Sequence, residues 1–141
     1  MSPTSADEIY DVVRAAGGRV TVPLRALVGV LVRDDAHLTA DELIAAVDER
    51  TPGIAPSTTY RLLQRLEELG VVEHVHTGRS AAFYHLRRNG HAHLICHSCG
   101  TVTDIPETMF DALSRSVGRS YHFTIDPRHA ALLGRCERCS Q

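Results

Sequence analysis

The sequence predicts an α+β fold in two modules, and three observations carry that expectation. Apolar residues recur at helical spacing from Ile9 to Leu69, two β-prone runs follow between Val71 and Leu86, and the last third holds four cysteines as two C-x-x-C pairs. Two modules in 141 residues leave each one small. A module below about 70 to 80 residues usually needs a staple beyond its own apolar core.

The elements follow in order along the chain. Ile9, Val12, Val13 and Ala16 make one buried helical stripe that Gly17-Gly18 ends, and residues 2–8 are expected to fray ahead of it. Leu24, Leu27, Val28 and Leu31 repeat the stripe. A third helix opens at Thr39, whose spacing to Glu42 is that of a capping box, buries Leu43, Ile44 and Val47, and stops at Thr51-Pro52-Gly53. A fourth helix runs over 57–69, with Ser57 or Thr58 as cap, Leu62, Leu66 and Leu69 inward, and Gly70 as the left-handed stop. Its other face shows Tyr60, Arg61, Gln64, Arg65 and Glu68. VVEHVH and AAFYHL, joined by residues 77–80, read as a hairpin. Helices followed by a two-stranded hairpin are the order of a winged helix, whose last helix presents polar residues to the DNA major groove.

Residues 87–90 read as a hinge, so the domains are expected at 1–86 and 91–141. The second module should begin with a strand over 91–95, a C-x-x-C turn and a strand over 101–105. A helix opened by Pro106, with Met109, Leu113 and Val117 inward, should follow, then short strands near 122–125 and 130–133 before the last C-x-x-C.

Composition narrows the function. No apolar run approaches the roughly 20 residues that span a bilayer, and the N-terminal residues lack the basic and apolar regions of a signal peptide. A cytoplasmic protein with no membrane partner is therefore expected. In that reducing compartment, paired cysteines point to metal ligation or redox chemistry rather than to structural disulfides. Residues 1–86 carry eight Arg against twelve Asp and Glu, and residues 87–141 carry seven against five. An acidic N-terminal half argues against nonspecific attraction to nucleic acid. Every basic side chain, however, is Arg, the one suited to bidentate phosphate and guanine contacts.

Cys96 with Cys99 and Cys136 with Cys139 can each present two thiolates from one turn, and together they fill a zinc tetrahedron. All four positions then come from protein, which makes the zinc structural and leaves no place for substrate. A regulatory disulfide is the alternative; a thioredoxin-like pair would need a βαβ context that is absent. Among the nine histidines, His74 with His76 and His91 with His93 are spaced so that strand alternation turns both rings to one face. Each pair could hold a cation. His97 and His122 read as ordinary surface histidines. An enzyme is not expected: there is no H-E-x-x-H arrangement, and no Ser or Cys nucleophile stands beside a base.

Taken together, STTYRLLQRLEELGVV, HAHLICHSCG and the terminal GRCERC resemble the ferric uptake regulator family, over nearly the whole chain. The resemblance implies a homodimeric, metal-dependent transcription repressor with an N-terminal winged helix, a C-terminal dimerisation domain, and a palindromic double-stranded DNA operator. It places Ser57, Thr58, Thr59, Tyr60, Arg61, Arg65 and Arg25 at the DNA. It assigns Cys96, Cys99, Cys136 and Cys139 to structural zinc, and His37, His91, His93 and Asp104 to the regulatory metal. His85 stands where iron and peroxide sensors usually carry a carboxylate, which favours nickel, zinc or cobalt over iron or manganese at that site.

A further family site, whose ligands would fall at Gly90, Ala92, Asp111 and Arg128, keeps only Asp111 and is expected to be missing. His74, His76 and His129 instead resemble the three-histidine site of the nickel uptake regulator branch, although that branch's histidine at Asn89 is absent. The family's R-x-T-x-Q-R segment appears as RVTVPLR over 19–25, one residue longer and without its glutamine, so backbone contacts from Arg25 are expected to be altered. An iron- or manganese-dependent peroxide sensor of the same fold, and a zinc-stapled interaction domain without metal sensing, are the remaining alternatives.

Overall fold

The structure is a computed structural model that describes residues 2–34, 37–76, 81–87, 91–127 and 130–141. These divide into two compact units, one running through Arg87 and the other beginning at His91.

In the first unit, α1 (Ala6–Ala15) begins one residue after Ser5, not after a frayed segment. Ser5 and Glu8 form a complete capping box, with the Glu8 carboxylate accepting from the Ser5 N–H at 3.0 Å and the Glu8 N–H donating to Ser5 Oγ at 3.3 Å. The N–H groups of Thr4 and Ser5 hold the Glu8 carboxyl below its ordinary pKa of 4.5. A depressed carboxyl pKa adds stability that is fully present above pH 4.5 and is lost as pH falls through the lowered value. The difference in thermal midpoint between the parent chain and Glu8→Gln is therefore expected to be largest near neutrality and to close below pH 4.5. A difference that persists unchanged into acid would assign the effect to packing instead.

Helix α2 (Val22–Asp34) starts where Thr21 accepts from the Leu24 N–H at 3.3 Å, and it sends Leu24, Leu27, Val28 and Leu31 inward as expected, with Ala26 and Val30 added. Helix α3 (Ala40–Arg50) has the anticipated Thr39–Glu42 capping box and buries Leu43 and Val47, while Ile44 is half-buried. Helix α4 (Pro56–Glu68) differs from expectation in its cap. Ala55 holds the N-cap position without a side-chain bond, and Pro56 opens the helix, where its missing N–H costs nothing. The inward stripe is Thr59, Leu63 and Leu66, with Leu62 and Leu69 half-buried beside it. Gly70, at φ 71°, supplies the left-handed stop.

The hairpin strands are β2 (Val72–Val75) and β3 (Phe83–Leu86), and its turn at 77–80 lies outside the described residues. A two-residue strand, β1 (Leu38–Thr39), pairs with β3 and makes a three-stranded antiparallel sheet in the order β1-β3-β2. All four helices and this sheet share one core around Ile9, Leu27, Leu43, Leu63, Leu66 and Val72.

The second unit is built on another three-stranded sheet, with β4 (His91–Cys96) between β5 (Val102–Pro106) and β6 (Ala131–Gly134), antiparallel to β5 and parallel to β6. A 3-10 turn over Glu107–Phe110 leads into α5 (Asp111–Tyr121), and α6 (Glu137–Ser140) closes the chain. Two expectations fail here. Residues 122–125 form no strand, because His122 at φ 52° turns the chain left-handed at the end of α5. Met109 and Leu113 point outward, at 67% and 42% exposure, and only Phe110 of this stretch is buried. Helical spacing identified an apolar stripe, but this unit offers it too little core to pack against.

Candidate metal centres and nucleic-acid interface

The cysteine cluster is built by two turns. After β4, the Gly100 N–H donates to the Cys96 carbonyl at 2.8 Å, and Gly100 adopts φ 75°, so Cys99 folds back beside Cys96. After β6, Cys136 caps α6, and its N–H reaches Cys96 Sγ at 3.4 Å. All four sulfurs lie within 4.8 Å of one another, and Cys99 Sγ stands 3.7 Å from Cys136 Sγ. A tetrahedral zinc with bonds of about 2.3 Å needs sulfurs about 3.8 Å apart. A disulfide would need about 2.05 Å.

Charge leads to the same cation. Peptide N–H donors, that of Cys136 first, hold the Cys96 thiol down at about 5, while the crowding sulfurs of Cys136, Cys99 and Cys96 push Cys139 up to about 12. Four sulfur donors at this spacing surround one centre, where a divalent cation would displace the proton that Cys139 otherwise keeps, and the cluster fits a structural zinc ion.

A second set of donors lies on β4 and β5. Antiparallel register places His93 directly opposite Asp104, and alternation puts His91 on the same face. The three offer donor atoms within 4.8 Å of one another. His93 is 1% exposed, and its Nδ1 donates to Asp104 Oδ1 at 2.9 Å, which fixes the ring and directs the lone pair of Nε2 elsewhere.

The sheet of the first unit carries a histidine pair on each of its two faces. His85 on β3 and His37 just before β1 have ring centroids 4.7 Å apart, with Phe83 edge-on to His37 at 5.2 Å. His85 Nδ1 donates to the Leu86 carbonyl at 2.8 Å, again directing Nε2 as the lone-pair nitrogen. Register places Tyr84, not His85, opposite His74, so His74 belongs to the other face. There its ring stands 4.8 Å from that of His76 and 5.8 Å from that of Tyr84, and its Nδ1 meets the carboxylate of Glu67. His129, expected as the third member of that group, lies outside the described residues, as do residues 88–90 of the expected hinge. His97 and His122 are exposed, and Ala92 is buried.

On α4, Ser57, Tyr60, Arg61 and Arg65 are exposed and Thr58 is half-exposed. Thr59 must be removed from the candidate contacts: at 1% exposure it packs into the core one helical turn before Leu63. Arg65 pairs with Glu68 at 3.3 Å. Arg25, on α2, is exposed with its guanidinium 5.1 Å from the centre of the Tyr10 ring, so α1 holds the side chain that the lengthened 19–25 segment carries. Glu67 was not anticipated from the sequence. It lies in the last turn of α4, seven residues before His74, but nothing in a linear reading aims its carboxylate at that ring.

Four helices with a small antiparallel sheet, followed by a cysteine-clustered unit bearing a separate histidine–carboxylate set, define a metal-binding transcription regulator. Residues 15–131 match the ferric uptake regulator family, and the chain belongs to that family. It is 32% identical over 139 residues to the ferric uptake regulation protein of Bacillus subtilis (strain 168), covering 95% of this chain and 93% of that one. It is 27% identical over 128 residues to the peroxide-responsive repressor PerR of Staphylococcus epidermidis, covering 91% and 85%. Among solved structures, the Helicobacter pylori ferric uptake regulator Fur superposes with a TM-score of 0.81 at 20% identity, covering 100% of this chain and 98% of that one. No described helix is long and apolar enough to cross a membrane.

Proposed function

We propose that the protein is a nickel- or zinc-responsive repressor that binds a palindromic operator as a homodimer, with its regulatory ion held by His37, His85, His91, His93 and Asp104. The donor chemistry carries this reading: four imidazoles and one carboxylate, with His85 and His93 each 5% exposed or less and each fixed through Nδ1. Nitrogen-rich sites suit nickel, zinc and cobalt better than the oxygen-rich sites that suit manganese. The bound ion would supply a bond between ligands of the two units. Its consequence for DNA is a narrower choice of spacing between the two recognition helices of a dimer, which must enter grooves about 34 Å apart.

The nickel-branch resemblance adds His74, His76 and His129 as a second site. For the dimer, the second unit offers exposed Leu94, Leu132, Leu133, Leu113, Tyr121 and Phe123, with an apolar trough of about 260 Å³ beside the first three. The expected domain division at 1–86 and 91–141 is retained within this proposal.

Operator binding titrated with nickel, zinc, iron(II) and manganese(II) tests the reading. Nickel or zinc should tighten binding at lower free concentration than iron or manganese, and indifference to all four would refute metal sensing. On the DNA side, Ser57, Thr58, Tyr60, Arg61, Arg65 and Arg25 are the proposed contacts. Arg61→Ala is expected to cost about 1–3 kcal/mol of operator binding and to relax specificity at one base position. An equal loss across all sequences would make Arg61 a phosphate contact.

Relatives named as peroxide-responsive repressors favour one competing reading, in which iron at His37, His91 and His93 senses peroxide. Histidine oxidation in iron-loaded protein after peroxide treatment distinguishes it.

A further inference from the structure

The proposed wing site leaves one group unexplained, the carboxylate of Glu67. Other acidic side chains nearby meet arginines: Glu68 pairs with Arg65 at 3.3 Å, and Glu73 with Arg87 at 3.1 Å. Glu67 instead meets Nδ1 of His74, and both side chains are about one-third exposed. Glu67 lies in the last turn of α4, whose end is tightly tied to β2. The Gly70 N–H donates to the Glu67 carbonyl at 2.9 Å, the Val71 N–H to the Leu66 carbonyl at 2.9 Å, and Val71 itself is fully buried. The carboxylate therefore approaches the ring from a backbone that has little freedom to move.

A carboxylate that accepts from one imidazole nitrogen turns the other nitrogen into an oriented, more basic ligand. That is the relation of Glu67 to His74, with the His76 ring 4.8 Å away on the same side. We infer that Glu67 is the positioning residue of a divalent-cation site on the wing: it anchors Nδ1 of His74, presents Nε2 to a borderline ion such as nickel(II) alongside His76, and ties that site to the last turn of the recognition helix. The inference rests on the proposed His74–His76 site and adds to it a group from α4. The same contact makes the recognition helix part of the wing site's support, so occupancy and helix position are linked through one side chain.

The experiment uses full-length, zinc-loaded chain titrated with nickel(II), with cobalt(II) as a spectroscopic probe, in the parent, His74→Ala, Glu67→Ala and Glu67→Gln forms. His74→Ala should remove one bound nickel per chain. Glu67→Ala should keep that ion but weaken it about 10- to 100-fold and alter the cobalt ligand-field spectrum, and Glu67→Gln, which retains an acceptor oxygen, should recover part of both. Unchanged nickel affinity and an unchanged cobalt spectrum in Glu67→Ala, while His74→Ala loses the ion, would overturn the role of Glu67 and leave the wing site standing. Unchanged nickel stoichiometry in His74→Ala would instead overturn the wing site itself, and the role of Glu67 with it.

Discussion

A Cys136→Ser chain is expected to lose its tightly held zinc and, with it, the folded state of the second unit, while the first unit stays folded. The reason is the disparity in their cores. The first unit buries Ile9, Leu24, Leu27, Leu43, Val47, Leu63 and Leu66 in one continuous cluster, whereas the buried apolar side chains described in the second are Ala92, Ile95, Cys96 and Phe110. A sheet of three short strands with so little apolar burial depends on its staple. Structural zinc at such a site contributes an apparent ~10–16 kcal/mol at neutral pH, as much as or more than the whole stability of a typical domain at about 5–15 kcal/mol. Cys136 is also the residue that joins the two turns, through its Sγ to Cys99 and its N–H to Cys96.

Hydrogen exchange should show the amides of β4 and β6 losing protection in the variant while those of α2 and α4 keep theirs, and metal analysis should show at least one zinc per chain fewer than in the parent. Retention of both zinc and protection would mean that three cysteines suffice and that the fourth is dispensable. Full protection without zinc would mean that the staple is not metal at all.

The second large effect concerns the proposed regulatory ion. His93→Ala is expected to abolish the metal-induced tightening of operator binding, about 5- to 150-fold for a typical coupling of 1–3 kcal/mol, while leaving metal-free operator affinity near the parent value. His93 lies at the centre of its set: it stands opposite Asp104, shares a face with His91, and is almost wholly buried. Truncation removes a ligand and leaves the Asp104 carboxylate without the imidazole N–H it accepts from, so some loss of stability accompanies the loss of response. His91→Ala separates the two, because His91 is more exposed than His93 and its truncation leaves the His93–Asp104 bond in place. A shared loss of metal response in both variants, with stability lost mainly in His93→Ala, is the expected pattern. Operator binding that tightens normally with metal in both variants would remove these residues from sensing.

Much of the first unit was legible because its signals are local. Helical spacing identifies Leu24, Leu27, Val28 and Leu31, and the Thr39–Glu42 spacing is a cap that forms within one turn of chain. The same spacing at Ser5 and Glu8 forms a second cap, which orders the chain where fraying is expected. Other features had no local signal. Strand β1 is two residues long and exists because β3 offers it an edge. Thr59, polar by type, is buried because the helix turns it toward the core with Leu63. Met109 and Leu113 have core-like spacing, yet their unit lacks enough apolar surface to cover them.

By itself the sequence determined the donor types and the turns that present them: C-x-x-C spacing, H-x-H alternation, and a helix ending at Gly70 before two β-prone runs. These are properties of residues a few positions apart, where backbone geometry alone sets which side chains share a face. Only the tertiary structure decided which distant donors meet: Cys99 with Cys136, His93 with Asp104, His37 with His85, and Glu67 with His74. Those pairings depend on strand register and on how an element is seated over its core, and a slip of one residue in β3 or β4 would turn His85 or His93 to the opposite face of its sheet.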